Sequence, residues 1–252
     1  TPCTKFRTGK TYPPVDQTLR VSLTRHNLEG HHILMKKSQQ NDQAEALNLL
    51  ESLITKAKSS GADAADAVFV EGISLSKSIR MGKPEHLERS ENCDIGLRVL
   101  IGKRQAMVSS SDTSLEAMDE LAMRCIAMAK AVPEDPFCGL AEVDQLATNF
   151  PDVQSCDTFE PDSDHLSDLA SRAEQSALAI KGISNSEGAS AGWGLNTVAM
   201  AASNGFARAY SNSSHSLSVS IIAGEGTEME GDYDYTAAVF AADMESPEIL
   251  GA

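Results

Sequence analysis

The residues able to do chemistry in this chain are few and widely spaced. Its six histidines are His26, His31, His32, His86, His165 and His215. None stands in an H-E-x-x-H or H-E-x-x-x-H arrangement, the spacing that sets two imidazoles and a glutamate base on one helical face around zinc. They read as ordinary surface or partly buried histidines, and the chain by itself is not expected to hold zinc. The five cysteines (Cys3, Cys93, Cys125, Cys138 and Cys156) form no C-x-x-C pair. An odd, unpatterned set in a chain this long reads as free thiols in a reducing, cytoplasmic setting. Serines are numerous, yet no G-x-S-x-G elbow presents one as a nucleophile. The serine-rich stretch 211–220 reads as the solvent face of a strand and its turn. Gly192-Trp193-Gly194 and Gly224-Glu225-Gly226 come nearest to phosphate loops. Neither opens a helix or precedes a Gly-Lys-Ser/Thr, so both read as turns. No catalytic, cofactor-binding or metal-ligating residue is assigned in this chain.

Two charged groups remain. Glu225, Glu228, Glu230, Asp232 and Asp234 form an acidic run. Calcium needs oxygen ligands at tighter spacing with a glycine turn, and only Asp232-Tyr-Asp234 resembles that. A solvated acidic hairpin or strand edge is the plainer reading. Arg98 and Arg104 could clamp a carboxylate or a peptide terminus, since a guanidinium fork suits that task. Pairing with nearby acids such as Glu88 or Glu91 is the simpler expectation.

The elements that must position these residues are legible from periodicity. From residue 42 to about 58, Ala46, Leu47, Leu50, Leu53, Ile54 and Ala57 fall on one helical face, and Gly61 follows as a C-terminal cap. Ile73, Leu75, Ile79 and Met81 alternate with polar residues as a half-buried strand; Ile95, Leu97, Val99 and Ile101 do the same. Gly102-Lys103 then turns tightly into 105–110. Thr113 and Glu116 have capping-box spacing ahead of a helix whose inner face holds Leu115, Met118, Leu121, Ala122, Cys125, Met128 and Ala129. Cys125 on that face reads as a small core residue. Pro133 and Pro136 end that helix. A third helix spans roughly 164–180, with Leu166, Leu169, Ala173, Ala177 and Ile180 inward. Strand-like sequence resumes after Gly182, with Ser203-Asn204-Gly205 as a hairpin turn before Leu217, Val219 and Ile221. The fold class is therefore α+β: antiparallel sheets with helices packed on one face, in two consecutive helix-plus-strands halves.

With 252 residues, 41% of them hydrophobic, the chain can bury a sizeable core. Its net charge of -15 argues against direct nucleic-acid binding and against attraction to anionic membrane. No run approaches the ~18 apolar residues of a membrane span. Residues 1–34 differ from the rest: they carry a net charge of +3 and no sustained periodicity. They read as a non-native leader or disordered extension, with Met35 as the expected native start. Residues 35–132 form the first half, 133–162 an Asp- and Pro-rich connection, and 163–252 the second half, expected to stop before a further C-terminal domain.

Several short segments, in order, resemble the TldD/PmbA family from about Ala46 onward. They include Ser60-Gly-Ala-Asp-Ala-Ala-Asp66, Ser78-Ile-Arg-Met-Gly82, Gly96-Leu-Arg-Val99 and Ser109-Ser-Ser-Asp112. Glu187-Gly-Ala-Ser190, Ser203-Asn-Gly-Phe206 and Met229-Glu-Gly-Asp-Tyr-Asp-Tyr235 continue the match. Pro133-Glu-Asp-Pro-Phe-Cys-Gly-Leu-Ala141 is similar to the PmbA (TldE) branch. The resemblance implies a heteromeric cytosolic metalloprotease that degrades or processes unfolded peptides. In it a TldD-type partner subunit carries zinc on an H-E-x-x-x-H in its C-terminal half, and the PmbA/TldE-type subunit does not. It also implies that this part of the subunit helps enclose a cavity for extended peptide, and that none of the matching positions is catalytic. The alternative it leaves open is a non-enzymatic adaptor, the role behind the family's older description as modulators of DNA gyrase.

Overall fold

The computed structural model describes the backbone of residues 25–252 and the side chains of residues 41–252. Among the described residues, four α-helices, α1 (Arg25–Ser59), α2 (Leu115–Ala131), α3 (Ser163–Leu178) and α4 (Pro247–Leu250), accompany six strands. The strands are β1 (Ala64–Arg80), β2 (Lys83–Ile101), β3 (Arg104–Ser110), β4 (Ile183–Ala202), β5 (Ala207–Ala223) and β6 (Glu230–Ala238). They form one antiparallel sheet in the order β3-β2-β1-β4-β5-β6. A single sheet thus takes the place of the separate sheets expected from the two stretches of strand sequence. The described residues divide into two compact units, and β1, β2, β4 and β5 each contribute residues to both.

The first unit comprises residues 25–71, 92–150 and 197–210. In it Leu50, Leu53 and Ala57 of α1 and Leu121, Ala122 and Cys125 of α2 pack on Ile95, Leu97 and Val99 of β2. The α1 face is the expected one, with Leu47 only partly buried. Gly61, at φ +110°, closes the helix, and the Ala62 amide reaches back to the Ala57 carbonyl. The backbone of α1 already begins at Arg25, ahead of Met35, whereas residues 1–24 of the expected leader lie outside the described residues.

The cap of α2 is Ser114 rather than Thr113. Ser114 takes the extended conformation, and its Oγ accepts from the Ala117 amide at 3.3 Å. The buried stripe of α2 is also narrower than expected. Ile126 is inside, whereas Leu115 in the first turn and Met128 on the flank are exposed. Gly102-Lys103 does turn β2 into β3, with Ile101 opposite Arg104.

The second unit comprises residues 72–91, 151–196 and 211–252. Leu166, Ala170, Ala173 and Ala177 of α3 pack on Leu75 and Ile79 of β1, Ala189, Ala191 and Trp193 of β4, and Leu217 and Val219 of β5. Asp162 caps α3, accepting from the His165 amide at 2.8 Å. Ile180 falls beyond the helix and is exposed. Helix α4 is tied to α3 by Arg172, whose guanidinium meets Asp168 at 3.1 Å and Glu248 at 2.7 Å. In each unit the buried strand residues alternate along the chain and face the helices. In the second unit the alternate positions carry Ser74, Ser76 and Ser78 of β1, Gly192 of β4, and Ser214, Ser216, Ser218 and Ser220 of β5.

Candidate functional site

Arg98, singled out from the sequence, pairs with an acid, but with Asp66 rather than Glu88 or Glu91. The register of the sheet decides this: Arg98 on β2 stands beside Asp66 on β1. Its Nε lies 3.0 Å from Oδ1 and 3.2 Å from Oδ2, and its Nη2 closes the fork on Oδ2. Gln105 on β3 accepts a further, long bond of 3.4 Å from Nη1. The Asp66 hydrogen bonds hold the guanidinium pKa above its ordinary value against the opposing effect of burial. Arg104 pairs with Glu134 at 3.3 Å, and Glu91 is held instead by Arg89. With its charge matched inside the fold, the Arg98 fork is a structural clamp.

A second polar centre lies on α3. Glu174 on α3 is 1% exposed, and both its oxygens are engaged. Oε1 accepts from the Met81 amide and Oε2 from the Gly82 amide, each at 2.8 Å, while the Ser186 hydroxyl donates to Oε1 at 2.6 Å. Met81 and Gly82 have φ of 50° and 70°, the paired left-handed geometry of a two-residue hairpin turn. Two successive amides pointing the same way make an anion-binding concavity, here filled by the protein's own carboxylate. The spacing of the α3 stripe could have flagged Glu174, since it stands next to Ala173 and three residues before Ala177.

The third centre joins three segments. Ser155 accepts from the Ser213 amide at 3.0 Å and donates its hydroxyl to the Ser211 carbonyl at 2.8 Å. The Asp157 amide donates to Ser213 Oγ at 2.7 Å, and that hydroxyl donates to the Val239 carbonyl at 2.9 Å. Asp157 Oδ2 accepts from the Ala241 amide at 2.9 Å and lies 3.3 Å from His215 Nε2, although that nitrogen is not aligned for a hydrogen bond. Phe159 stacks on the His215 ring and meets His165 edge-on. Burial pushes the His215 pKa below its ordinary value, and the neighbouring Asp157 only partly opposes this. Ser211 and Ser213 are therefore buried members of this junction, not part of a solvent face. Ser214 and Ser216 are exposed as expected.

The remaining sequence features resolve simply. Gly192 and Gly194 lie inside β4 rather than in a turn. A Cβ at Gly192 would sit 2.9 Å from Ser216 Oγ, and one at Gly194 would sit 3.3 Å from Ser214 Oγ. Gly224 and Gly226 do form a turn, with φ of 81° and 60°. The acidic run follows that turn onto β6, an exposed strand at the sheet's end, where Asp232 and Asp234 accept from the adjacent Tyr233 and Tyr235 amides. Cys125 is fully buried, its thiol directed at the Leu97 and Ala106 carbonyls, and burial raises its pKa. Cys138 is likewise buried and, like Cys125, a free thiol.

Among the described residues, no three His, Cys, Asp or Glu side chains converge as a metal site. Asp157 and His215 face each other, and Asp157 Oδ2 already serves the Ala241 amide. These residues do not fit a zinc ion.

Comparison with known proteins places this architecture. Residues 65–129 match the PmbA/TldA metallopeptidase domain 1, and residues 156–252 match the PmbA/TldA metallopeptidase central domain. The chain belongs to the PmbA/TldD family. Among its relatives, the metalloprotease PmbA of Escherichia coli O157:H7 is 32% identical over 216 residues, 85% of this chain and 48% of that protein. A PmbA homologue of Haemophilus influenzae is 33% identical over 217 residues, 85% of this chain and 47% of that protein. The chain thus spans about half the length of these PmbA/TldD-family relatives. In fold it is similar to a candidate modulator of DNA gyrase from Bacteroides thetaiotaomicron, with TM-score 0.73 and 20% identity over 81% of this chain and 47% of that one. It is likewise similar to TldE from Thermococcus kodakarensis, with TM-score 0.67 and 15% identity over 81% of this chain and 45% of that one.

Proposed function

We propose that this chain is the N-terminal part of a PmbA/TldE-type subunit of a cytosolic zinc metalloprotease complex acting on unfolded peptides. In this reading the TldD-type partner holds the zinc, and this subunit contributes chamber wall and partner interface rather than a catalytic group. What supports it most is the ordered match to two successive metallopeptidase-family domains, backed by relatives named metalloprotease PmbA. The internal use of the charged groups is consistent with a structural role. Arg98, Glu174 and Asp157 are each engaged by the chain's own partners.

The test is co-purification of the full-length protein with a TldD-type subunit, followed by peptide cleavage with and without chelator. Cleavage that needs both chains and is abolished by chelation is the expected outcome. Failure to bind such a subunit, or cleavage by this protein alone, overturns the assignment. Binding to gyrase without any cleavage would favour an adaptor.

A further inference from the structure

Asp135-Pro136-Phe137-Cys138 folds as a β-turn, which an aspartate followed by proline favours at its first two positions. The Cys138 amide closes the turn on the Asp135 carbonyl at 3.2 Å, and the Phe137 amide donates to Asp135 Oδ1 at 2.9 Å. Both flanks are fastened within the first unit. Ahead of the turn, the Asp135 amide donates to the Lys103 carbonyl at 2.6 Å, and Glu134 meets Arg104 at 3.3 Å. Behind it, Cys138 is buried, and the Ala141 carbonyl accepts from Asn204 Nδ2 at 2.9 Å. Phe137 is left outside. It is 94% exposed, the highest value among the large apolar residues described. A turn needs no aromatic ring here, since a small polar residue would serve it without holding apolar surface in water.

The backbone that presents the ring is already ordered, so burying it against a partner costs little more than two side-chain torsions. Aromatic anchors of this kind carry a large share of the energy of protein interfaces. The charge around the ring narrows the choice of partner. Residues 133–150 contain Glu134, Asp135, Glu142 and Asp144 and no lysine or arginine. Glu142 and Asp144 are exposed. A second copy of the chain would set these acids against one another, whereas an apolar pocket rimmed by basic side chains complements them. We infer that Phe137 is the anchor by which this chain docks on a TldD-type subunit, entering an apolar pocket rimmed by Lys or Arg. The inference rests on the subunit role proposed above and names the residue that carries it.

Binding kinetics of the full-length protein on an immobilised, purified TldD-type subunit test it. Phe137→Ala is expected to weaken binding ~30-fold, through faster dissociation. Phe137→Leu keeps an apolar anchor and should lose less. Both variants should keep the parent's thermal midpoint, because the ring is almost wholly exposed in this fold. Asp144→Lys should slow association and make its rate less sensitive to added salt. A parent protein that binds no such subunit overturns both this inference and the subunit role. A parent that binds, with a Phe137→Ala variant that binds as tightly, overturns this inference alone. So does a lowered thermal midpoint of full-length Phe137→Ala, since the ring would then be packed inside the subunit itself.

Discussion

Asp66 and Arg98 show how a charge suspected of binding a ligand becomes part of the fold. The Asp66 side chain is only 10% exposed and the Arg98 side chain 30%. Removing the acid leaves a partly buried guanidinium with Gln105 as its remaining side-chain acceptor among the bonds described above. Asp66→Ala is therefore expected to lower stability by ~2–3 kcal/mol, less than for a fully buried pair because water still reaches the cation. The shift in urea midpoint measures it. His215 carries the clearest pH dependence. Its pKa is lowered in the folded state from an ordinary 6.5, so the fold prefers the neutral ring. Its contribution is complete above pH 6.5 and is lost as pH falls below that value, where the unfolded chain binds the proton more readily. Urea midpoints measured downward from pH 6.5 should decline less steeply for His215→Gln than for the parent chain.

The hairpin of β1 and β2 has the most demanding local requirement. Its turn places Met81, a residue with a Cβ, at φ 50°, where glycine or asparagine is usual. Glu174 compensates by accepting both turn amides from α3, an element 93 residues away in sequence from Met81. Glu174→Ala leaves two amides and the Ser186 hydroxyl without their acceptor, and ~3 kcal/mol of stability should be lost. Glu174→Gln retains one acceptor oxygen and should lose less, as equilibrium unfolding in urea would show. The same hairpin explains why only half of its strands could be read in advance. Ile73, Leu75 and Ile79 alternate because one face of β1 meets α3, whereas residues 83–92 bury neither face and so display no period.

At the scale of the whole molecule, the charge of -15 dominates. A chain this acidic repels the phosphate backbone, and no helix among the described residues is long and apolar enough to cross a membrane. The chain should therefore fail to shift duplex DNA in a gel at physiological salt, even at protein concentrations of ~10 μM, well within the range of ordinary nonspecific binders. A shift that weakens steeply with added salt would overturn this expectation.

The sequence by itself determined three of the helices, the hairpin turn at Asn204-Gly205, the α+β class and the family, because these rest on neighbours within a few turns of chain. Capping signals, alternation and proline stops all act locally, and the ordered family segments needed no contacts to be recognised. Only the tertiary structure decided which charges meet. Asp66 finds Arg98 through strand register, Glu174 reaches the Met81-Gly82 turn through helix packing, and Asp157 meets His215 where the connection settles on β5. Each pairing joins residues at least 32 positions apart. Their geometry depends on how the sheet is ordered, and placing β1 beside β4 brings together strands that no local pattern links.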